Sequence, residues 1–441
     1  MADLELVWSQ PIEAQGDGAG FTASPVVANG VAYLQDPDSN VLAFDLGSGE
    51  VLWEKRYESP SHGPKGVIVA AGLVFGATTT AAFALDAEKG DEIWRTPLGR
   101  KGSGAIKMAP GYHDGRVYLA TYPDGSAGEI GVLWALDARS GVKTWHFNTA
   151  PTGLWGHPEI NYGGGLTRPP SFDGEGSMYI GTGIAGPIPG TRRYPWGSSR
   201  PGPNLYTNSV VKLNERTGKV LWHYQVVPHG ICNWEVGGTA LADLDGRKIV
   251  VAAGRSGIVV ALDRETGELL WRRPVGRHNG HDRDGLLAMH GEYERLKLPM
   301  TVYPGREGGA PGPLAVDGST VFVPVIDNPT GLDSQEAATL YREPRGELVA
   351  LNLGTGTVRW KRELASPPYG PVTATNDLVF ATASHGEVLA FETAGGDEVW
   401  SHSLVSPGEG GLAVIGDTVL VRAGFPSGGP IPELLAYRLA S

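Results

Sequence analysis

One short pattern recurs along the chain and constrains its fold more than any other feature. An Asp, Asn or Glu is followed four residues later by Gly and eight residues later by Trp. The seven copies are Asp45–Gly49–Trp53, Asp86–Gly90–Trp94, Asp137–Gly141–Trp145, Asn214–Gly218–Trp222, Asp263–Gly267–Trp271, Asn352–Gly356–Trp360 and Glu392–Gly396–Trp400. Asp and Asn side chains accept hydrogen bonds from turn amides, and Gly supplies the positive φ of a tight turn. Each copy therefore predicts a β-hairpin whose closing Trp fills the wedge between neighbouring sheets.

The two ends of the chain supply an eighth, divided copy. Leu434-Leu435-Ala436-Tyr437 matches the first strand of the pattern, and Leu6-Val7-Trp8 matches its last strand. Pairing of these segments would complete one sheet from both termini and leave no open sheet edge. We therefore predict an all-β, eight-bladed β-propeller with four-stranded blades, forming a single domain over residues 1–441.

Two intervals between copies are longer than a four-stranded blade requires. The surplus falls in residues 154–203 and 277–309, which are rich in Gly, Pro, His and Arg. Loops carried by one face of a rigid scaffold are common places for functional sites. We expect both inserts to cover the central funnel of the propeller.

Composition excludes several classes of partner. The net charge of −12 is spread along the chain, which argues against nucleic acid, and no apolar run is long enough to span a bilayer. The single Cys232 excludes an internal disulfide. No leader-peptide pattern opens the sequence, which predicts a cytoplasmic protein as written, or a periplasmic or secreted one if a leader has been trimmed.

The repeats and three further segments resemble the quinoprotein family, the eight-bladed propellers of PQQ-dependent alcohol dehydrogenases. The segments Arg200-Pro201-Gly202-Pro203-Asn204, Trp222-His223-Tyr224-Gln225 and Arg255-Ser256-Gly257 are similar to the family's RPGDN, WHYQ and basic-residue-Asn-Gly segments. The resemblance implies a quinone in the funnel, a Ca²⁺ or lanthanide ion that polarises it, and an Asp that accepts the alcohol proton.

Several positions of this chain depart from the family pattern. The resemblance implies that Glu129 retains a metal ligand and Arg255 a contact to the quinone oxygens. Ile184 stands in place of the family's metal-binding Asn, and Pro203 in place of its catalytic Asp. Arg168 falls near the position at which the family has the Trp on which the quinone stacks. Because Ca²⁺ takes roughly six to eight oxygen ligands, one carboxylate predicts poor binding. We therefore expect no cofactor and no metal site, with PQQ and Ca²⁺ as the alternative.

The candidate site residues are expected to surround a small-molecule substrate. The predicted catalytic residues are Lys107, Glu129, His157, Glu159, His229 and Glu235. The predicted substrate-binding residues are Trp155, Tyr162, Arg168, Trp196, Trp234 and Arg255. The cations favour an anionic or carbonyl-bearing ligand, and the pairs His157–Glu159 and His229–Glu235 are candidate acid–base pairs.

Simpler interpretations of the same residues remain open. Glu129 can pair with Arg255 or Lys107 only to neutralise buried charge, and each His–Glu pair can serve only to hydrogen-bond a loop. His278, His281, Asp282 and Asp284 match no known zinc spacing, so we predict a solvated lid there rather than a metal site.

Three functions are compatible with these patterns. The first is cofactor-independent acid–base chemistry, such as cyclisation, isomerisation or elimination, on an organic substrate. The second is a PQQ- and metal-dependent alcohol or sugar dehydrogenase, and the third is a non-catalytic propeller scaffold. The lost Asp, Asn and Trp favour the first over the second, and the Trp- and Arg-bearing inserts favour it over the third.

Overall fold

The computed structural model describes residues 4–13, 23–60, 65–99, 104–341, 344–404, 410–424 and 431–439. Within these ranges, nearly all regular structure is antiparallel β-sheet, and the one α-helix is six residues long. The all-β prediction is confirmed. Over the same ranges, no helix has the length and apolar character needed to cross a membrane.

Eight large sheets follow one another along the described chain, and we number them in chain order. Sheet 1 comprises Val26–Ala28, Val31–Gln35, Val41–Asp45 and Val51–Lys55, and sheet 2 comprises Ile68–Ala70, Leu73–Ala77, Ala81–Asp86 and Glu92–Pro97. Sheet 3 comprises Ala105–Ile106, Gly111–His113, Arg116–Tyr122, Val132–Asp137 and Lys143–Asn148, and sheet 4 comprises Ser171–Phe172, Ser177–Gly181, Ser209–Asn214 and Val220–Gln225. Sheet 5 comprises Val236–Leu244, Arg247–Gly254, Ile258–Asp263 and Leu269–Pro274, and sheet 6 comprises Ala315–Asp317, Thr320–Asp327, Arg345–Asn352 and Val358–Leu364. Sheet 7 comprises Thr373–Ala374, Leu378–Ala383, Glu387–Glu392 and Glu398–Ser403, and sheet 8 comprises Ala413–Ile415, Thr418–Ala423, Glu433–Leu439 and the N-terminal strand Leu4–Pro11.

The remaining elements interrupt this regular succession. Two short sheets pair Tyr162–Gly163 with Ala185–Gly186, and Met300–Val302 with Thr330–Leu332 and Ala338–Leu340. The helical segments are the 3-10 turns Leu154–Gly156, Pro195–Gly197, His281–Arg283 and Tyr293–Arg295 and the α-helix Asp284–Met289. Most of these elements lie in the two predicted inserts. The hairpin at 330–340 lies in the chain between the second and third strands of sheet 6 and forms a third insertion. The Trp spacing does not separate this insertion from the second insert. The single-domain organisation and the insert bounds stay predictions.

The two chain ends meet in sheet 8, as the divided copy of the pattern predicts. Leu4–Pro11 pairs antiparallel with Glu433–Leu439, with Ser9 opposite Leu435 and Gln10 opposite Leu434. The sheet is thus completed by hydrogen bonds between residues more than 400 positions apart. The number of large sheets equals the number of predicted blades.

Six of the seven repeated turns are organised by an Asp or Asn side chain. Asp263 Oδ1 accepts hydrogen bonds from the Glu265 and Thr266 amides at 3.0 and 2.9 Å. The side chains that do the same in other copies are Asp45, Asp86, Asp137, Asn214 and Asn352. The polar residue therefore closes the turn that leads into the Trp strand.

Six of the seven repeated Trp residues, together with Trp8, pack on the glycine turn of the next repeat. Trp53 Nε1 donates to Ala87 O at 3.1 Å, and a Cβ added to Gly90 would lie 2.7 Å from the Trp53 ring. The same contact joins Trp8 to Gly49, Trp94 to Gly141, Trp145 to Gly218, Trp222 to Gly267, Trp271 to Gly356 and Trp360 to Gly396. The glycine is therefore required by the facing indole as well as by its positive φ.

His229 fastens the first insert to the segment that follows sheet 4. The ring is fully buried, with Nδ1 2.9 Å from Gly202 O and Nε2 2.8 Å from Trp196 O. Burial, assisted by the charge of Arg200, lowers the pKa of His229 from 6.5 to about 4. The imidazole is therefore neutral at neutral pH, and protonation opposes folding.

The glycine–indole contact predicts a specific loss of stability. In Gly267→Ala, the new methyl group collides with Trp222, so the free energy of unfolding should fall by about 1–3 kcal/mol beyond the backbone effect. Gly246→Ala is the matched control, because Gly246 has φ +77, close to the +76 of Gly267, and nothing within 4 Å of an added Cβ. Urea denaturation of both variants measures the difference, and equal losses would contradict the packing role of the indole.

The buried imidazole predicts an acid-sensitive stability. The unfolded chain protonates near pH 6.5 and the folded chain only near pH 4, so stability is complete above 6.5 and falls between these values. The loss amounts to about 3 kcal/mol, since each pKa unit corresponds to about 1.4 kcal/mol. Urea midpoints measured from pH 7 to 4 should therefore fall less steeply in His229→Gln than in the natural protein. His157→Gln, at an exposed position, should keep the natural slope, and a His229→Gln slope equal to it would refute this account.

Candidate ligand-binding funnel

A cavity of about 340 Å³ lies between segments contributed by sheets 3, 4 and 5 and both inserts. We call it the funnel cavity. Its lining residues are Lys107, Tyr122, Pro123, Asp124, Gly125, Tyr162, Gly163, Gly164, Gly165, Thr167, Ile184, Asn233, Glu235, Arg255 and Arg306. The glycines allow close approach, because a Cβ on Gly165 would lie 2.1 Å from Cδ2 of the Tyr122 ring. The funnel cavity thus has a backbone wall, an aromatic wall and several charged side chains.

A buried carboxylate, Glu235, organises one side of the funnel cavity. Glu235 Oε2 accepts from the Tyr122 hydroxyl at 3.2 Å, and Glu235 Oε1 accepts from Arg255 Nε at 3.3 Å. Arg255 Nη1 also donates to Glu307 Oε2 at 3.0 Å. Tyr122 ends a strand of sheet 3, while Glu235 and Arg255 flank the first hairpin of sheet 5. The sheets therefore hold three polar side chains together across large separations in sequence.

The protonation states of this network are set by burial and charge. Burial and the neighbouring Glu235 carboxylate raise the pKa of Tyr122 well above its usual value, so its hydroxyl stays a donor. Burial opposes the charge of Arg255, but the carboxylates of Glu235 and Glu307 raise its pKa overall. At neutral pH, Tyr122 is consequently protonated and Arg255 is cationic, and both donate to Glu235.

Two further cations lack a carboxylate partner among the described residues. Lys107 lies with Nζ 4.9 Å from the centroid of the Tyr122 ring and lines the funnel cavity. Arg168 follows Thr167 of the lining, and its Nη2 donates to Pro311 O at 3.4 Å. Its Nε is buried with no hydrogen-bond partner in the described structure. Burial lowers the pKa of Arg168 to about 10, which leaves it charged at neutral pH.

Glu129 does not form the ion pair that the sequence left open as an alternative. It is 5% exposed, lies outside the lining of the funnel cavity, and accepts the Asp124 N–H at 2.7 Å through Oε2. Burial raises the pKa of Glu129, the Asp124 N–H acts against that rise, and the neighbouring Asp124 carboxyl group adds to it. Its carboxyl group is thus held against Asp124 rather than against Arg255 or Lys107.

The other predicted residues are spread over several places. Tyr162 lines the funnel cavity, while Trp155 donates to Leu205 O at 3.2 Å and lines a second cavity of about 480 Å³ that also includes Pro203. Trp196 and Trp234 are buried, and neither lines the funnel cavity.

Of the two predicted His–Glu pairs, one is in contact in the structure and the other is not. His157 Nδ1 lies 2.9 Å from Glu159 Oε1, but this pair is exposed and outside the funnel cavity lining. His229 contacts backbone carbonyls, and its predicted partner Glu235 is bonded to Tyr122 and Arg255 instead.

Sequence reasoning missed four residues of this site: Tyr122, Asp124, Arg306 and Glu307. Tyr122 ends the strand Arg116–Tyr122 and Asp124 lies in the loop between this strand and Glu129, where a polar residue is a candidate site residue. Arg306 and Glu307 lie in the second insert, and only the folded structure brings them to Arg255.

These positions test the cofactor that the family resemblance implies. The cationic lining by Lys107, Arg255 and Arg306 fits the acidic groups of an anionic quinone such as PQQ. The metal site fits poorly, because Glu129 is engaged with Asp124 and the Ile184 side chain in the lining has no oxygen. Within the described ranges, no three His, Cys, Asp or Glu side chains are grouped to hold a metal ion.

Two family models match the chain. The model of the glucose/ethanol/alcohol dehydrogenase β-propeller domain matches residues 124–279. The model of the outer membrane protein assembly factor BamB matches residues 2–64, 58–166 and 299–432. Together, the two models span most of the sequence.

Curated relatives include quinohemoprotein alcohol dehydrogenases. The enzyme of Comamonas testosteroni is 32% identical over 327 residues, which are 64% of this chain and 44% of that protein. The enzyme ADH-IIG of Pseudomonas putida is 32% identical over 311 residues, which are 61% of this chain and 42% of that protein. The chain therefore spans less than half the length of these two relatives.

Solved structures share the fold. The crystal structure of the Comamonas testosteroni quinohemoprotein alcohol dehydrogenase covers 99% of this chain and 76% of its own, with a TM-score of 0.84 and 23% identity. A europium-containing methanol dehydrogenase covers 99% of this chain and 93% of its own, with a TM-score of 0.79 and 18% identity. The predicted quinoprotein propeller fold is confirmed.

The comparisons correct two expectations drawn from the sequence. Cofactor-independent cyclisation, isomerisation or elimination is wrong as the main function, because the relatives are quinohemoprotein alcohol dehydrogenases. The expected absence of a cofactor is wrong for the same reason. The expectation rests on the loss of a family Asp, Asn and Trp, whereas the lining of the funnel cavity carries the cations Lys107, Arg255 and Arg306.

The repeats, the fold and the retained segments agree with these relatives. The dehydrogenase model covers the stretch that supplies Asp124, Tyr162, Ile184, Glu235 and Arg255 to the funnel cavity. The chain belongs to the PQQ-dependent alcohol dehydrogenase-like β-propeller family.

Proposed function

We propose that this chain is the propeller of a PQQ-dependent oxidoreductase that oxidises a small alcohol in the funnel cavity. The proposal is carried by the overlap between the part of the chain that matches the dehydrogenase domain and the residues that line the funnel cavity. The dehydrogenase-domain match runs from 124 to 279, and most residues of the funnel cavity fall within it. The part of the chain most similar to dehydrogenases is thus the part that lines the cavity.

The charges of the funnel cavity support an acidic, planar cofactor. Arg255 is oriented by Glu235 and Glu307, and a guanidinium held in this way presents its remaining N–H groups in a fixed direction. Tyr122 and Tyr162 supply aromatic surface beside the backbone of Gly163–Gly165. PQQ, when bound, supplies the two-electron acceptor for alcohol oxidation.

Glu235 is the residue to which we assign the acceptance of the alcohol proton. Pro203 occupies the position of the family's catalytic Asp and lines the second cavity instead. Asp124 and Glu235 are the carboxylates of the funnel cavity lining, and Glu235 is the one held by two donors and 8% exposed. A positioned carboxylate of this kind suits a general base, and Arg255 balances its charge.

The scaffold alternative is less well supported. The BamB model matches the repeats on both sides but omits residues 167–298. That interval contributes Ile184, Asn233, Glu235 and Arg255 to the funnel cavity, which a scaffold does not require.

The proposed function is tested by loading the protein with PQQ and measuring alcohol-dependent reduction of an artificial electron acceptor. Primary alcohols of increasing chain length should be oxidised, in the presence of Ca²⁺, La³⁺ or a chelator. An absence of PQQ binding and of dye reduction under all three conditions would refute the proposal.

Replacement of Glu235 should separate catalysis from cofactor binding. In Glu235→Gln, the side chain keeps its size and an acceptor for Arg255 but loses its basicity, so kcat should fall by about 100-fold or more. The KM for the alcohol and the amount of bound PQQ should change little. Glu159→Gln, at an exposed carboxylate, should keep the natural kcat, and a Glu235→Gln variant with natural kcat would exclude Glu235 as the base.

A further inference from the structure

Two cations in or next to the lining of the funnel cavity depart from the family pattern, Lys107 in the lining and Arg168 directly after Thr167 of the lining. Lys107 precedes Met108-Ala109-Pro110, where the family resemblance implies a small hydroxyl residue before Ala-Pro, and Arg168 stands near the position of the family's stacking Trp. Both positions differ in charge and in shape from what a stacked, metal-bound quinone requires. Both residues add a cation, so both change the interactions available to a bound quinone in the same direction.

The surroundings of Lys107 leave its charge available to a ligand. The ammonium group lies over the face of Tyr122 at 4.9 Å, and within the described structure it forms no salt bridge, although its charge adds to the hydrogen bonds from Ser126 in lowering the pKa of the nearby Asp124. A cation over an aromatic face is attracted by the ring, but its hydrogen-bond donors remain unused. The Tyr122 ring therefore holds Lys107 at the funnel cavity without neutralising it.

Arg168 shows the same property more strongly. One of its terminal nitrogens contacts Pro311 O at 3.4 Å, while its buried Nε has no partner in the described part of the chain. The carboxylate of Glu235 is already engaged by Arg255 and Tyr122. A buried, unpartnered guanidinium nitrogen is costly in the free protein, which is typical of a group that a ligand satisfies.

We propose that Lys107 and Arg168 form a two-cation site that binds carboxylate groups of the quinone directly and without a metal ion. This inference rests on the proposed function. In this site, charge-assisted hydrogen bonds from the ammonium group of Lys107 and the guanidinium group of Arg168 take the place of stacking on an indole and of coordination to a metal. The ligand class is a rigid aromatic polycarboxylate, of which PQQ is the member that the family implies.

The test measures binding rather than activity. PQQ is titrated into the full chain by calorimetry and by quenching of Trp fluorescence, with EDTA, with Ca²⁺ and with La³⁺. We expect equal affinity in the three conditions and a decrease in affinity with increasing salt. Lys107→Met and Arg168→Gln should each raise the Kd about 10-fold or more. Arg192→Gln is the matched control, because Arg192 lies in the same insert as Arg168 and its side chain is 91% exposed. The Kd of this variant for PQQ should be unchanged.

Each outcome separates this inference from the proposed function. PQQ binding that requires Ca²⁺ or La³⁺, or binding that both variants leave unchanged, would overturn the two-cation site while the proposed function stands. No PQQ binding in any condition would overturn both. Arg168→Gln provides a second readout, because removing a buried cation that has no salt bridge and whose Nε has no partner in the described structure should leave the Tm of the ligand-free protein equal or higher. A large fall in that Tm would instead assign Arg168 a structural role and overturn its part in the site.

Discussion

The packing of a Trp on the glycine turn of the next repeat, which recurs seven times in the described structure, is the contact on which the rest of the structure depends. In the contact between Trp222 and Gly267, the indole closes the space between sheets 4 and 5, and its N–H donates to Arg264 O at 3.3 Å. Because the same geometry recurs from repeat to repeat, the sheets keep a constant relation to one another. The pairing of Leu4–Pro11 with Glu433–Leu439 joins the ends of this series. The strand ends that carry Tyr122, Glu235 and Arg255 are positioned by this frame.

The repeat architecture was predictable because its signals are local. Within one hairpin, a polar residue, a Gly and a Trp at fixed spacing indicate both the turn and the contact with the neighbouring sheet. The terminal segments repeat the same pattern. The funnel network was not predictable in this way, because the Tyr122–Glu235 hydrogen bond joins residues 113 positions apart. Glu129 and His229 illustrate the same limit. Each is a polar residue in a suggestive segment, yet one is held against Asp124 and the other against two backbone carbonyls.

The departures from the family pattern change the chemistry of the site in one consistent direction. Ile184 and Pro203 remove oxygen atoms, whereas Lys107 and Arg168 add positive charge. The sequence alone suggested that these changes remove the cofactor. The folded structure gives them a different meaning, since Lys107 lines the same cavity as Arg255 and Arg168 directly follows Thr167 of that lining. Over the described ranges, no three His, Cys, Asp or Glu side chains are grouped to hold a metal ion. An acidic quinone has charge of its own, so its binding depends on the cations as much as on stacking or metal coordination.

Whether the funnel cavity is the quinone site is decided by a crystal structure of the PQQ-soaked protein. We expect planar density in the cavity lined by Tyr122, Tyr162 and Gly163–Gly165, with its acidic groups toward Lys107, Arg168 and Arg255. Density in the second cavity beside Trp155 and Pro203, or an empty funnel cavity at saturating PQQ, would contradict it.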